Sequence, residues 1–275
     1  MTVWFITGAS RGFGLEIAKV ALSRGDQVVA TARNPQSILA ALPDAGDQLL
    51  AVELDVHRPE QITAGVEAAV AQFGRIDALV NNAGRGLVGA VEETSDAEAR
   101  ATFDVNVFGL LDVTRAVLPH LRSQRSGLIV NLSSVGGFVA WPGWGVYCAT
   151  KFAVEGLSEA MGHELAPLGI KVTAIEPGPF RTDFLDGSSL HVAETQIDDY
   201  TATGGSARTW ATDNNQTQDG DPRKAAEIIV DLVARDELPA RIQLGANAIT
   251  DVAQKVELTA RDQEQWREIG LSADF

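Results

Sequence analysis

Two side chains four residues apart, Tyr147 and Lys151, form a pair that can move a proton. They lie near the start of a helical pattern, and the i, i+4 spacing places both on one helix face. An ammonium beside a phenol favours the phenolate and lowers the tyrosine pKa from about 10. Such a tyrosine can donate or accept a proton near neutral pH. Because Tyr-x-x-x-Lys is common on ordinary helices, the pair alone does not establish a site.

A glycine-rich turn follows the first strand-like segment. Gly8, Gly12 and Gly14 stand in a Gly-x-x-x-Gly-x-Gly spacing ahead of a helical pattern. Glycines let the backbone turn tightly and approach a ligand, and the free N–H groups at a helix start suit a pyrophosphate. The alternative is a turn that binds nothing, and the strand–turn–helix context makes it less favoured.

The end of the second strand-like segment carries no acidic residue that would bind the hydroxyls of an adenine ribose. Arg33 follows this strand instead, and Arg11 lies in the glycine turn. If the two guanidinium groups converge, they suit a 2′-phosphate, which predicts NADP(H) in preference to NAD(H). The alternative is two solvated surface arginines.

Short apolar runs alternate with helical patterns along the whole chain, which predicts one α/β domain, residues 1–275. The expected architecture is a doubly wound parallel sheet of about seven strands, Rossmann-type, with helices on both faces. A polar stretch at 182–220 interrupts the alternation and predicts a substrate lid or a disordered segment. Residues 245–275 form a C-terminal extension. The predicted strands are 3–6, 27–32, 49–54, 78–80, 127–132, 171–175 and 241–244, and the predicted helices are 14–24, 59–73, 102–123, 146–167, 222–235 and 250–268.

Further motifs occur in order along the chain. They are Asn-Asn-Ala-Gly at 81–84, Asn106 in a helical pattern, Asn-Leu-Ser-Ser at 131–134 and Pro-Gly-Pro-Phe-Arg-Thr at 177–182. Together with the glycine turn and the Tyr-x-x-x-Lys pair, they resemble the short-chain dehydrogenase/reductase family over nearly the whole chain. The segments 146–157 and 175–179 are similar to its 17β-hydroxysteroid and retinol dehydrogenase branch.

This resemblance implies a catalytic tetrad of Asn106, Ser134, Tyr147 and Lys151. The family's serine lies thirteen residues before the tyrosine, which selects Ser134 over Ser133. Ser133 is expected to point the other way, because side chains alternate along a strand. Ser134 is expected to orient the substrate carbonyl and Tyr147 to donate the proton. Lys151 is expected to hold the nicotinamide ribose, and Asn106 to anchor a water behind it.

The resemblance also implies which residues hold the cofactor. Asp55, after the third strand, is expected to contact adenine. Phe13 and Phe180 replace aliphatic residues usual in the family, which changes the shape of the pocket near the nicotinamide. The full expected set is Gly8, Ser10, Arg11, Gly12, Phe13, Gly14, Arg33, Asp55, Val56, Asn82, Ala83, Gly84, Tyr147, Lys151, Pro177, Gly178, Phe180 and Thr182.

The substrate wall is expected to come from residues 85–91, residues 138–144 and the 182–220 insert. Aromatic and aliphatic side chains there can form an apolar pocket, which predicts bulky, apolar substrates. For each aromatic residue the alternative is a place in the core or in an interface. The expected substrate contacts are Phe138, Trp141, Trp144, Phe184 and Leu185.

The function implied by the resemblance is an NADPH-dependent carbonyl reductase or alcohol dehydrogenase, acting on a small-molecule ketone or secondary alcohol. One alternative is a regulatory module that senses NADP(H) without turnover. Another is epimerisation or dehalogenation on the same scaffold. Both alternatives are expected to alter the tetrad, which this chain keeps.

Composition restricts the partners. The net charge of −15 opposes nucleic-acid binding, and no polybasic patch suits a membrane. Cys148 is the only cysteine, so no intrachain disulfide can form, and no leader or long apolar segment precedes the first strand. These features predict a cytoplasmic protein without a metal site. The family resemblance adds a homodimer or homotetramer as the expected assembly.

Overall fold

A seven-stranded, fully parallel β-sheet forms the centre of the protein, in a computed structural model that describes residues 1–275. The strand order is β3-β2-β1-β4-β6-β7-β9, and β5 and β8 form a separate parallel pair. The sheet confirms the predicted fold class. The nine strands are β1 (Val3–Ile6), β2 (Gln27–Ala32), β3 (Leu49–Glu53), β4 (Ala78–Asn81), β5 (Gly86–Val88), β6 (Gly127–Leu132), β7 (Ile170–Pro177), β8 (Leu190–Val192) and β9 (Arg241–Leu244).

Helices cover both faces of this sheet. Trp4 and Ile6 of β1 point into a core shared with the first and eighth helices, and Phe5 points into a second core beneath the third, fifth and sixth. This alternation follows from the two-residue period of a strand. The helices are α1 (Gly12–Ser23), α2 (Gln36–Ala41), α3 (Pro59–Phe73), α4 (Asp96–Phe103), α5 (Leu110–Gln124), α6 (Gly145–Leu165), α7 (Ser206–Asp213), α8 (Pro222–Asp231), α9 (Ala246–Gln265) and α10 (Arg267–Leu271).

The strand order reverses between β1 and β4, because β1 continues to β2 on one side and β4 continues to β6 on the other. In open parallel sheets the crevice at such a switch point, at the carboxyl ends of the strands, is where ligands bind. The glycine turn after β1 and the Asn-Asn-Ala-Gly motif after β4 both lie at this edge.

The helix predicted over 102–123 begins earlier and is interrupted. Ser95 and Glu98 form a reciprocal capping box that starts α4 at Asp96. A π-helical turn, Asp104–Gly109, then separates α4 from α5. The extra residue of a π turn shifts the side chains that follow, and such turns are frequent at functional sites.

The insert at 182–220 is folded. β8 pairs with β5, and α7 buries Ala207 and Ala211 in a small cluster with Leu190. The polar composition of the insert did not indicate this strand or helix. The disordered alternative is therefore wrong, and the role of the insert as a lid stays a prediction.

The C-terminal extension is almost entirely helical, as α9 and α10. Neither these helices nor any other helix of the chain is long and apolar enough to cross a bilayer.

Candidate active site

The glycine turn between β1 and α1 is shaped by two left-handed glycines. Gly8 has φ +65° and Gly12 has φ +54°, a region that residues with a Cβ adopt only with strain. A Cβ on Gly8 would lie 3.1 Å from Ala83 Cα. The backbone of the turn therefore packs closely on the Asn-Asn-Ala-Gly segment.

Hydrogen bonds fix that contact. The Asn82 Nδ2 group donates to the carbonyls of Thr7 at 2.8 Å and Gly8 at 3.0 Å. The Thr7 hydroxyl accepts from the backbone N–H groups of Asn82 and Ala83, both at 3.0 Å. Asn82 thus holds the turn in the shape that presents the start of α1 to the crevice.

Gly14 was expected to contact the cofactor, but it does not line the cavity that runs along the carboxyl edge of the sheet. A Cβ at Gly14 would lie 2.5 Å from both Asn82 Nδ2 and the Gly8 carbonyl oxygen. Gly14 therefore permits close packing of α1 on the strands, the role that the third glycine of a dinucleotide turn fills.

One cavity of about 1190 Å³ runs along the carboxyl edge of the sheet and joins the glycine turn to the tyrosine–lysine pair. Of the expected cofactor residues, all except Gly14 lie on its wall. Asn106 and Phe138 are the two other predicted site residues that do not.

Asn106 lies in the π turn, buried behind the cavity. Its Oδ1 accepts from the Arg85 N–H at 2.8 Å, and its Nδ2 donates to the Arg85 carbonyl at 2.9 Å and the Thr150 hydroxyl at 3.0 Å. The asparagine therefore joins the chain after β4 to α6, the helix of Tyr147 and Lys151. Its water-anchoring role stays a prediction.

The two serines after β6 face different neighbours. The Ser134 hydroxyl accepts from the Gly136 N–H at 3.0 Å and lies beside the Tyr147 phenol, whose pKa it lowers. Ser133 is buried beside Glu155 instead. The alternation predicted from the strand therefore places Ser134, rather than Ser133, next to the phenol.

Tyr147 and Lys151 are each only 7% exposed. Burial raises the pKa of the Tyr147 phenol above its usual value, and the neighbouring Ser134 hydroxyl opposes this rise. The lowering expected from Lys151 is not what the structure shows: burial dominates the shift, and Lys151 Nζ lies 5.9 Å from the centre of the phenol ring. The phenol therefore keeps its proton at neutral pH and can act as an acid.

Lys151 is a buried cation with one fixed protein partner. Its Nζ donates to the Leu132 carbonyl at 2.7 Å and lies 5.9 Å from the centre of the Tyr147 ring. Burial lowers the pKa of Lys151 to about 8, although the negative charge of Glu155 opposes this shift. The ammonium is therefore charged at neutral pH and loses its charge only slightly above it.

Aromatic rings surround the phenol on the side away from the glycine turn. Trp144 lies edge-on to Tyr147, with ring centres 5.9 Å apart, and Phe184 lies 5.4 Å from Tyr147. Trp141 and Leu185 also line this end, as expected. Trp210 of α7, which no sequence pattern indicated, lies 6.3 Å from Trp144 and lines the same wall.

Phe138 was expected to contact the substrate, and the structure corrects this expectation. It is absent from the cavity wall, and its ring lies 5.5 Å from the guanidinium carbon of Arg241. The 3-10 turn Val135–Gly137 directs the chain away from the cavity before this residue is reached. Phe138 therefore packs behind the site.

The other end of the cavity, where adenine is expected, is more open. Arg33 lines the cavity, is exposed, and makes no hydrogen bond or ion pair with the protein. Arg11 is already engaged, because its guanidinium donates to Ser188 Oγ at 2.7 Å, the Ser188 carbonyl at 3.0 Å and Ser189 Oγ at 2.8 Å. Arg11 thus joins the glycine turn to the insert, a contact that the expected convergence with Arg33 did not include.

Asp55 lines the same end, beside Val56. Burial alone would raise the pKa of Asp55, but hydrogen bonds from the His57 backbone and ring and the charge of Arg33 lower it below its usual value. The carboxylate is therefore ionised and can accept a hydrogen bond from a ligand.

Comparison with known proteins agrees with this geometry. The family described as short chain dehydrogenase matches residues 2–192. This chain is a short-chain dehydrogenase/reductase. The family assignment makes it an oxidoreductase and accounts for the glycine turn, the Asn-Asn-Ala-Gly segment and the Ser134–Tyr147–Lys151 arrangement at one cavity.

Individual short-chain dehydrogenases resemble it over most of their length. A solved structure of a short-chain dehydrogenase from Streptomyces avermitilis shares 38% identity over 100% of both chains, with a TM-score of 0.91. Another, from Burkholderia phymatum in complex with NAD, shares 27% identity over 94% of this chain and 95% of that one, with a TM-score of 0.82. The 3-ketodihydrosphingosine reductase of Bacteroides thetaiotaomicron is 36% identical over 87% of this chain and 86% of its own.

Two glutamates anchor the insert of this short-chain dehydrogenase to its body. The buried Glu93 carboxylate accepts from Arg208 Nη1 at 2.6 Å and from the Ile197 N–H at 3.0 Å, and these bonds lower the pKa of Glu93 to about 2. Glu98 accepts from the Glu194 N–H at 3.0 Å and lies 3.0 Å from His191 Nε2. Sequence reasoning missed both anchors, because Glu93 belongs to no motif and the Ser95–Glu98 capping box signals a helix start rather than a contact with the insert.

Proposed function

We propose that this protein reduces ketones to secondary alcohols, and catalyses the reverse oxidation, with NADP(H) as the cofactor. The observation that carries the proposal is the cavity itself. It brings a protonated, buried phenol, a serine hydroxyl and a buried ammonium to one end, and a glycine-lined helix start to the other. These are the groups that a hydride transfer from a bound dinucleotide to a carbonyl needs.

The residues fit a nicotinamide dinucleotide. The start of α1 has no side-chain cap, so its free N–H groups and positive dipole end are available to a pyrophosphate. A Cβ on Gly8 would intrude on this turn. Bound NADPH supplies the hydride, and the protein supplies position and charge.

The proton step is assigned to Tyr147. As negative charge develops on the carbonyl oxygen, the phenol donates its proton to that oxygen. The Ser134 hydroxyl hydrogen-bonds the same oxygen and orients it. Lys151, charged at neutral pH, stabilises the tyrosinate that is left and holds the nicotinamide ribose.

Arg33 supports the choice of NADP(H). It is the free guanidinium at the adenine end, and the end of β2 carries no carboxylate to repel a 2′-phosphate. A charge-assisted hydrogen bond contributes roughly 1.5–3 kcal/mol, or about 10- to 100-fold in affinity. Arg11 could also bind the 2′-phosphate only after breaking its hydrogen bonds to Ser188 and Ser189.

The aromatic wall supports a bulky, apolar substrate. Trp144, Phe184 and Trp210 enclose the phenol on the substrate side, where burial of apolar area contributes about 25 cal/mol per Å². The local sequence at 146–157 supports a place near the 17β-hydroxysteroid and retinol dehydrogenase branch. The insert at 182–220 is proposed as the lid over this end of a single domain.

The acidic composition and the single buried cysteine, Cys148, support a cytoplasmic location. A homodimer or homotetramer is proposed as the assembly, on the family resemblance.

The test is NADPH oxidation with a panel of ketones. Aryl and long-chain ketones are expected to give a higher kcat/KM than acetone-sized or sugar-like carbonyls. NADPH binding with no oxidation of NADPH by any ketone, and no reduction of NADP⁺ by any alcohol, would favour the sensing module instead. Faster turnover of the small polar compounds would overturn the assignment of the aromatic wall.

A further inference from the structure

A cluster of charged side chains is buried directly behind the catalytic end of the cavity. Glu155 follows Lys151 by one turn of α6 and is 5% exposed, and Glu176, near the end of β7, is 0% exposed. Arg241 of β9 lies between them, with its Nε 3.4 Å from Glu155 Oε2 and 3.9 Å from Glu176 Oε1. The proposed reaction uses none of the three.

The cluster packs against the segment that follows β6 and against α6, which carry Ser134, Tyr147 and Lys151. A Cβ on Gly137, just after Ser134, would lie 2.6 Å from Ser133 Oγ, 2.9 Å from Glu155 Cγ and 3.0 Å from the Lys151 carbonyl oxygen. Glu176 immediately precedes the Pro177–Gly178 turn of the cavity wall. The cluster therefore borders the serine pair, the helix of Lys151 and the Pro177–Gly178 turn.

Neither carboxylate of the cluster is fully satisfied. Both oxygens of Glu155 and Oε1 of Glu176 lack a hydrogen bond, while Oε2 of Glu176 accepts from the Gln243 side-chain amide. Two buried carboxylates that share a single arginine do not both ionise at low cost. Accordingly, burial and the nearby Glu176 raise the pKa of Glu155 to about 7. The neighbouring Ser133 hydroxyl and the charge of Arg241 oppose this rise.

We propose that Glu155, held by Arg241, is a positioning residue that keeps the Lys151 ammonium charged and fixed against the end of β6. This role rests on the proposed dehydrogenase function. Glu155 stands four residues after Lys151, so the two buried side chains share one face of α6. Glu155 is the acidic group whose charge favours the ammonium form of Lys151. Without that charge the buried ammonium would lose its proton at a lower pH.

The first arm of the test is the pH dependence of NADPH binding and of kcat. In the wild-type protein both fall as pH rises through about 8, where Lys151 loses its charge. Glu155→Gln keeps the shape of the side chain and is expected to move this fall down by about one pH unit. Superimposable profiles would overturn the proposal.

Two other variants control for disturbance of the cluster. Glu159 lies one turn further along α6, is exposed, and accepts from the same Arg241 at 2.7 Å, so Glu159→Gln should leave the profile unchanged. Glu176→Gln removes the like charge that suppresses ionisation of Glu155, so Glu155 stays ionised to lower pH and the fall near pH 8 should remain in place. A downward shift in either variant would contradict the assignment.

The second arm needs no turnover. Because the folded-state pKa of Glu155 is raised from 4.5 to about 7, the unfolded chain releases this proton at lower pH than the folded one. Stability is therefore lost as pH rises through that window. The wild type should lose more of its Tm than Glu155→Gln across it, and equal slopes would refute the titration. If the wild type still loses more of its Tm than Glu155→Gln but the protein reduces no ketone, the titration of Glu155 stands and the proposed function is wrong.

Discussion

The two ends of the cavity are built in opposite ways. At the catalytic end, Tyr147 and Lys151 are almost fully buried and held by α6 and the end of β6. At the adenine end, Arg33 is exposed and without a protein partner. Burial fixes geometry and moves pKa values, whereas solvent screens an exposed charge. Substitutions at the first end should therefore change the chemistry, and those at the second the choice of cofactor.

The largest effect is expected from Tyr147→Phe. It removes the proton donor while keeping the ring between Trp144 and Phe184, so kcat should fall by about 10²- to 10⁴-fold with NADPH binding retained. Tyr200→Phe is the matched control, since this other tyrosine is outside the cavity and donates to Glu92 at 2.6 Å. Retention of more than about a tenth of the activity by Tyr147→Phe would refute the mechanism.

The two serines, Ser133 and Ser134, test the geometry of the catalytic end. Ser134→Ala removes the hydroxyl beside the phenol and should lower kcat by about 10²-fold, because one positioned donor to a developing oxyanion is worth that much. Ser133→Ala, which faces Glu155, should cost far less. Equal losses, or a greater loss in Ser133→Ala, would reverse the assignment made from the spacing.

At the adenine end, Arg33→Ala should weaken the preference for NADPH over NADH by about 10- to 100-fold. The change should appear in the KM for NADPH, with NADH use nearly unchanged. Arg100→Ala, an exposed arginine on α4 paired with Asp96, is the control for a simple change in net charge. A wild-type preference for NADH, or equal impairment with both cofactors, would contradict the role of Arg33.

The smallest effect concerns the insert. Hydrogen exchange across 182–220 should slow by about tenfold when cofactor and substrate are both present. The residues near Arg11, such as Ser188, should respond more than those bonded to Glu93, because the Glu93–Arg208 pair already holds the latter. Identical exchange in the free and ternary forms would exclude a lid.

The sheet could be predicted almost strand by strand, because parallel strands buried on both faces are continuous apolar runs. β1, β2, β6 and β9 have the predicted bounds, as does α3. β5 and β8 could not be found in this way, since they are three residues long and owe their form to each other. The start of α4 was missed although the Ser95–Glu98 capping box signals it.

The candidate site divides along a similar line. Most residues in motifs with a fixed spacing, such as Ser134 and Tyr147, lie on the cavity wall, while Gly14 and Asn106 pack behind it. Residues whose place depends on a neighbouring chain do not lie where the sequence predicts. Arg11 is turned toward Ser188 by the insert, and Phe138 is drawn behind the site toward Arg241. Trp210 reaches the wall because α7 folds against β5, which no local pattern encodes.

The separate packing of the insert bears on how this enzyme could be re-engineered. Val88, Leu190, Ala207 and Ala211 form a small cluster of their own, apart from the two cores of the sheet. Loops carried on a rigid scaffold tolerate changes in sequence and length. Redesign of residues 190–213 should therefore change the substrate range while leaving the two cores of the sheet intact. The contact to preserve is the one between Trp210 and Trp144, because Trp144 precedes α6 and lies beside Tyr147.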